Sequence, residues 1–342
     1  MKNRLQKSTP LYIALAIAGI LIVLFIVWRM VPQSTPQNPA RKPETGQQGQ
    51  LYTPPKEDVA DRLREYIGKE PELKVYINQS GETETMPFEQ YLVGVVAGEV
   101  GPEAPPAAME AQAILARTFT LDQVTSEANP CSQFQAMVCT DPESFQAYAP
   151  EKINDRVRQA VENTRGQVLL YRGDVIYALY SAHAGGQTAT KEESFPHLER
   201  DLPYLRSVQS PDDDYAEDHI DRWQLTMSVE EFAEKLRVDP GKLTQVRIAD
   251  KGPSGRTLRI DFGGVTLPAT EVRKRIGPNE FRSTLLTNAT LEGGRISFAG
   301  KGWGHGAGLS QWGAITMARE GRSAAEILKR YYPTSGLARL WR

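Results

Sequence analysis

"FEQYLVGVVAGEVGPEAPPAAMEAQAILARTFTLDQ", Phe88 to Gln123, decides the fold. Its first part sets Tyr91, Leu92, Val95 and Val96 at helical spacing, and Pro87 can open the helix. Gly101 and Pro102 stop it. After the turn "GPEAPP" a second helix is expected from about Ala107 to Gln123, with Pro106 at its first turn. It is full of alanine, the strongest helix former, so its neighbours can pack closely.

Outward from this pair, "ELKVYIN" (Glu72 to Asn78) alternates like a strand. Lys152 to Thr164 reads as another helix. "QVLLYRGDVIYALYSAH" reads as a hairpin turning at Gly173 and Asp174, and "LTQVRIADKGPSGRTLRIDF" as a second one around Gly252 to Gly255. "SVEEFAEKL" carries Ser228 as an N-cap with a glutamate three residues on. Helices return at Ser310–Glu320 and Ser323–Tyr332. There is no internal repeat and no regular βαβ rhythm. The expected class is α+β, helices mixed with antiparallel hairpins.

A net charge of -2 announces no basic patch for nucleic acid. The N-terminus is more informative. "LYIALAIAGILIVLFIVW", Leu11 to Trp28, is apolar without interruption. Eighteen helical residues rise about 27 Å, close to the roughly 30 Å of a bilayer core. Lys2, Arg4 and Lys7 favour a cytoplasmic N-terminus. No small-x-small cleavage site closes the run, so an uncleaved signal anchor is expected rather than a removed signal peptide. "VPQSTPQNPARKPETGQQGQLYTPP" has almost nothing to bury and reads as a disordered tether. The expected organisation is a cytoplasmic N-terminus over 1–10, a single transmembrane anchor over 11–29, a linker over 30–56 and one extracytoplasmic domain over 57–342. Cys131 and Cys139 then lie where disulfides persist, and a small-loop disulfide is the leading reading, ahead of two free thiols or a metal site.

Three places concentrate polar chemistry. "VVAGEVGPEAPP" holds Glu99 at the end of an apolar helix. The helix dipole there disfavours a carboxylate, and burial acts the same way. A glutamate held near neutrality suits a general acid; the bland alternative, a solvated glutamate at a helix end, is favoured by residue type alone. "SAHAGGQTATKEESF" holds His183. "GKGWGHGAGLSQWGA", residues 300–314, holds Trp303, His305 and Gln311 among six glycines. Glycine lets backbone approach a ligand closely, and tryptophan offers a flat face to a sugar ring. Two His-Gly segments built alike point to a ligand cleft; the alternative is tight turns with tryptophans in the core. The sequence has no G-x-S-x-G, H-E-x-x-H, P-loop or Rossmann fingerprint.

These residues resemble the SpoIID/LytB family, which includes a sporulation septum and engulfment protein and an amidase enhancer. The likeness is carried by "YLVGVVAGEVGPEAPPAAMEAQAILARTFTL", "SAHAGGQTATKEESF" with "PYLRSV", "GPNEFRSTLL", and "GKGWGHGAGLSQWGAITMAREGRSAAEILKRYYP". Together they span Glu72 to Pro333. The resemblance implies a lytic transglycosylase acting on peptidoglycan strands stripped of stem peptides, with Glu99 catalytic. It implies that Arg117, Tyr204 and Arg206 orient the sugar; the structural alternative for Arg117 is a core brace. His183, His305, Gln311 and Trp303 would line the glycan cleft, with a pin that fixes Glu99 as the alternative for His305. It implies a SpoIIP-like amidase and a SpoIIM-like membrane protein as partners. The rival reading is a non-catalytic glycan-binding activator of a cell-wall amidase; a third is a hydrolase leaving reducing ends. Some members bind zinc through His-x5-Cys-x5-Cys ahead of Gln-x-Tyr. Here Gln133, Cys139 and Phe145 take those places before Gln146 and Tyr148, so no metal or other cofactor is expected and Cys131–Cys139 is the expected disulfide. Glu110 stands where many relatives have lysine.

Overall fold

The computed structural model describes residues 51–126, 129–142, 144–212, 216 and 218–342. The anchor expected at 11–29 lies outside them, and among the described residues no helix is long and apolar enough to cross a membrane. The linker expected over 30–56 ends sooner: Tyr52 bridges to Ala338, and its carbonyl accepts from the Arg339 N–H at 2.8 Å. The backbone groups of a strand edge recruit this extended segment.

Strands β1 (Glu72–Ile77) and β2 (Glu82–Pro87) pair antiparallel. Helix α1 (Phe88–Glu99) follows at once and is buried on nearly every side, as a helix apolar all round must be. Helix α2 (Pro106–Val124) has Pro106 in its first turn, where the missing N–H costs nothing. The cysteine segment is less irregular than expected: β3 (Val138–Cys139) pairs parallel with β1, and Cys131 and Cys139 form a disulfide. Helix α3 (Asp155–Asn163) is shorter than expected because Asn154 caps it, its side chain accepting from the Val157 N–H at 3.0 Å.

Strands β4 (Gln167–Tyr171) and β5 (Asp174–Val175) form the first hairpin, but the turn is Arg172–Gly173, both left-handed, one residue earlier than expected. Such turns match the twist of the flanking strands. The rest of that stretch leaves the hairpin, and β6 (Tyr180–Ser181) pairs elsewhere.

From Arg222 to Lys301 the chain builds a second lobe. It comprises β7 (Arg222–Ser228), α4 (Val229–Leu236), β8 (Leu243–Lys251), β9 (Thr257–Gly263), β10 (Thr266–Pro268), α5 (Ala269–Ile276), β11 (Leu286–Glu292) and β12 (Arg295–Lys301). Two antiparallel sheets, ordered β11-β12-β7 and β10-β9-β8, enclose Phe232, Phe262, Phe281 and Phe298. The chain then returns through β13 (Leu309–Ser310), α6 (Gln311–Arg319), α7 (Ala324–Tyr331) and β14 (Gly336–Arg339). Ser310 and Ser323 cap α6 and α7. Strand β13 pairs parallel with β6, and β14 antiparallel with β4. These elements join α1, α2 and α3 around Leu92, Val95, Leu115, Tyr331 and Trp341. The fold is α+β, and the single expected domain contains two hydrophobic cores.

Candidate active site

Glu99 is the last residue of α1 and keeps part of its surface open to solvent. Gly94 and Gly98, one turn apart, let the segment Ala147–Tyr148 lie directly on the helix; a Cβ on Gly98 would stand 2.9 Å from the Ala147 carbonyl carbon. That approach delivers the Ala147 N–H to Glu99 Oε1 at 2.7 Å. On the other side Gln311, first residue of α6, donates from Nε2 to Glu99 Oε2 at 3.4 Å and to Gln112 Oε1 at 3.4 Å. The Tyr180 hydroxyl lies near the Glu99 carboxyl and favours its ionised form. These partners are an amide, a carboxamide and a phenol, none of them charged. Burial therefore wins and raises the Glu99 pKa above the usual carboxyl value, with the three polar neighbours opposing it. Tyr180 and Tyr91 are pushed well above an ordinary phenol, first by burial and then by the charge of Glu99. Both stay protonated throughout the physiological range.

The glycine-rich stretch does its work on Tyr180. Leu309 stands opposite Tyr180 in the β6–β13 pair. Gly308 has φ 76° and lies so close to the Leu179 carbonyl that a side chain there would collide with backbone. His305 Nδ1 accepts from the Ala307 N–H at 3.0 Å, and the ring lies near the Tyr180 backbone. Burial, with Arg273 and Arg256 nearby, pushes the His305 pKa down to about 3. It is a neutral imidazole, although one edge of the residue reaches solvent.

The other residues singled out in the sequence are placed differently. Arg117 is fully buried; it pairs bidentately with Glu89, Nε at 3.0 Å and Nη2 at 2.6 Å, at the opposite end of α1 from Glu99. An enclosed guanidinium has no surface to offer a sugar, so Arg117 is the core brace. Tyr204 is 5% exposed and its hydroxyl accepts from the Tyr177 N–H at 2.7 Å, so its expected sugar contact is likewise corrected by burial. His183 is buried, with its backbone bridged to Trp303 and its Nδ1 accepting from the Gly185 N–H at 3.1 Å. The Trp303 ring is covered by the Arg282 guanidinium, 4.3 Å from its centroid. Arg206 is exposed. Of the sequence candidates, only Gln311 meets Glu99 directly; Tyr180, Gln146, Gln112 and the Ala147 amide were not singled out as site groups. Their signal is faint, because lone polar groups in apolar runs read as core.

The zinc site of some family members does not fit here. Gln133, Cys139 and Phe145 take the ligand places, and Cys139 is bonded to Cys131. Among the described residues no group of three or more His, Cys, Asp or Glu side chains is placed to hold a metal ion.

Comparison with known proteins is consistent over most of the chain. Residues 76–171 match the family described as Stage II sporulation protein, and residues 194–308 match a domain of unknown function, DUF8618. Stage II sporulation protein D of Bacillus amyloliquefaciens is 31% identical over 302 residues, covering 81% of this chain and 84% of that protein. Stage II sporulation protein D of Bacillus subtilis is 30% identical over 273 residues, 76% of this chain and 77% of the relative. The amidase enhancer of Bacillus subtilis is 28% identical over 301 residues, 72% of this chain but 40% of that longer protein.

Proposed function

This chain belongs to the stage II sporulation protein D family, and on that premise we propose that it is a membrane-anchored lytic transglycosylase acting on peptide-free peptidoglycan strands in septal wall remodelling and engulfment during sporulation. The observation that carries the reading is Glu99, a residue partly open to solvent whose carboxyl is raised in pKa by burial and bonded only by uncharged partners.

Glycosidases of the common kind use two carboxylates, one of them to attack the sugar or activate water. One carboxyl is enough where the substrate supplies its own nucleophile. Protonated Glu99 gives its proton to the glycosidic oxygen as the bond to C1 of N-acetylmuramic acid breaks. The resulting carboxylate takes the proton of that sugar's 6-hydroxyl. The 6-oxygen closes on C1 and leaves a 1,6-anhydro end. The nucleophile is intramolecular, with the large effective concentration that brings.

The test is mass spectrometry of peptide-free strands after incubation with the protein or its Glu99→Gln variant. Anhydro-muramic ends from the wild type alone are expected. Products one water heavier, with reducing ends, would make it a hydrolase. Bound but uncut strands would point instead to an amidase activator, the role named in the amidase-enhancer relative.

A further inference from the structure

Next to the end of α1 the surface opens into a groove of about 440 Å³, within the size range of small-molecule sites. Gly98 and the segment Ala147–Tyr148 line it, and both are tied to Glu99: Gly98 precedes it in the chain, and the Ala147 N–H holds its carboxyl. The Tyr148 ring is fixed in this lining. It lies over Gly94, where any Cβ would collide with it, and stacks on Tyr91 with centroids 5.7 Å apart. Further lining comes from the chain just past β1 and β3. There Asn78 and Thr140 lock each other: the Asn78 N–H donates to Thr140 Oγ1 at 2.9 Å, and the Thr140 N–H donates to Asn78 Oδ1 at 3.0 Å. Cys139, the neighbour of Thr140, is held by its disulfide and by its pairing with Tyr76. With its oxygen engaged, Asn78 keeps its amide nitrogen as a donor for a ligand.

Two charged side chains line the groove. The Asp141 carboxylate accepts from the Ser144 hydroxyl. Lys152 closes the Pro150–Lys152 turn and is exposed, and among the described residues no ion pair or hydrogen bond engages its ammonium. A cation with no partner, in a polar groove beside the reacting carboxyl, suits an anionic group on the substrate. Resting on the peptidoglycan reading above, we propose that this groove is the subsite for an N-acetylmuramic acid residue of the bound strand, with Lys152 receiving its free lactyl carboxylate. In an intact strand that carboxyl is joined to the stem peptide as an amide and carries no charge. Once the peptide is removed it is a carboxylate. Lys152 therefore tells the two strands apart by charge while the other sugar contacts stay alike, and specificity is that difference in affinity.

The experiment is calorimetric titration of the full-length protein, carrying Glu99→Gln to prevent cleavage, with three oligosaccharides of one length. These are peptide-free strands of alternating N-acetylglucosamine and N-acetylmuramic acid, the same strands with each lactyl carboxyl converted to its methylamide, and N-acetylglucosamine oligomers, which have no lactyl group. The free acid is expected to bind about 5-fold more tightly than the methylamide, the scale of one exposed ion pair, and the preference should fade as salt rises. Lys152→Gln should remove the preference and leave binding of the other two ligands unchanged; Lys152→Arg should keep it. Lys152 is exposed at a turn, so neither change should disturb the fold. Equal binding of acid and methylamide before Lys152 is changed overturns the proposal. So does a preference that survives Lys152→Gln, or one that Arg206→Gln abolishes in its place. If the wild type makes anhydro ends but the preference does not follow Lys152, the subsite fails while the transglycosylase stands. If the preference follows Lys152 and no anhydro ends form, the reaction assigned to Glu99 fails and the subsite stands.

Discussion

Helix α1 carries a glutamate near each end, and the two live in opposite electrostatic worlds. Glu89, in the first turn, is 5% exposed. Its Oε1 accepts from Arg117 Nε at 3.0 Å, the Gly166 N–H at 3.0 Å and the Trp341 indole at 2.8 Å. Burial alone would raise its pKa, but the Arg117 charge and these hydrogen bonds win and lower it. Glu99, at the last turn, meets the negative end of the helix and only neutral partners, and its pKa is raised. A buried carboxylate paired with an arginine serves as structure; a carboxyl with neutral partners is shifted toward its protonated form.

The sharpest way to break this contrast is at Glu99. Glu99→Gln should lower anhydro-end formation by about 1,000-fold, within the range set by general acid–base catalysis, while the melting temperature holds or rises by about 2 °C. A variant that loses its fold with its activity would make Glu99 structural like its counterpart. Arg117→Met should do the reverse and cost about 3–5 kcal/mol in urea unfolding, because it strands a buried carboxylate. Adding Glu89→Gln should recover most of that loss. A cost no greater than that of a surface arginine would show that the pair does not carry this end of the helix.

A smaller effect separates the ends mechanically. Cys131 and Cys139 tie down the strand that leads toward Ala147 and so toward Glu99. Replacing both with serine should cost about 2–3 kcal/mol. It should also speed hydrogen exchange at the Ala147 amide more than at the Gly166 amide that serves Glu89. The smallest effect is in pH dependence, opposite in sign at the two sites. Glu89 has a lowered folded pKa, so its contribution is present above the unfolded carboxyl pKa and fades as pH falls through the folded one; the advantage of wild type over Glu89→Gln should shrink in acid. Glu99 has a raised folded pKa, so its contribution is full below the unfolded value and is lost as pH rises through the folded one; wild type should fall behind Glu99→Gln toward neutral pH. Melting curves from acid to neutral pH should show these opposite slopes.

Much of the local structure was legible in the chain. The stop at Gly101–Pro102 put Glu99 at a helix end, and Ser228 announced its cap. The Arg172–Gly173 turn was missed by one residue, since Gly-Asp and Arg-Gly both suit it and only strand register selects between them. Burial was not legible. Arg117 finds its carboxylate 28 residues upstream in another helix, and Tyr180 finds Gln146 34 residues upstream across the core. Spacing along one element carries no record of such meetings. The second core, around Phe232 and Phe298, escaped for the same reason: its hairpins were visible, but not that they would pack on one another.

By itself, then, the sequence determined where helices begin and end, which family the chain joins and which glutamate closes α1, because periodicity, caps and breakers act over a few neighbouring residues. Tertiary structure alone decided which glutamate has its pKa lowered and which has it raised. A carboxyl's pKa is set by charges, donors and solvent within a few ångströms. Around Glu89 and Glu99 those groups arrive from Arg117, Gly166 and Trp341 on one side and Ala147, Tyr180 and Gln311 on the other, brought together only when the whole chain has folded.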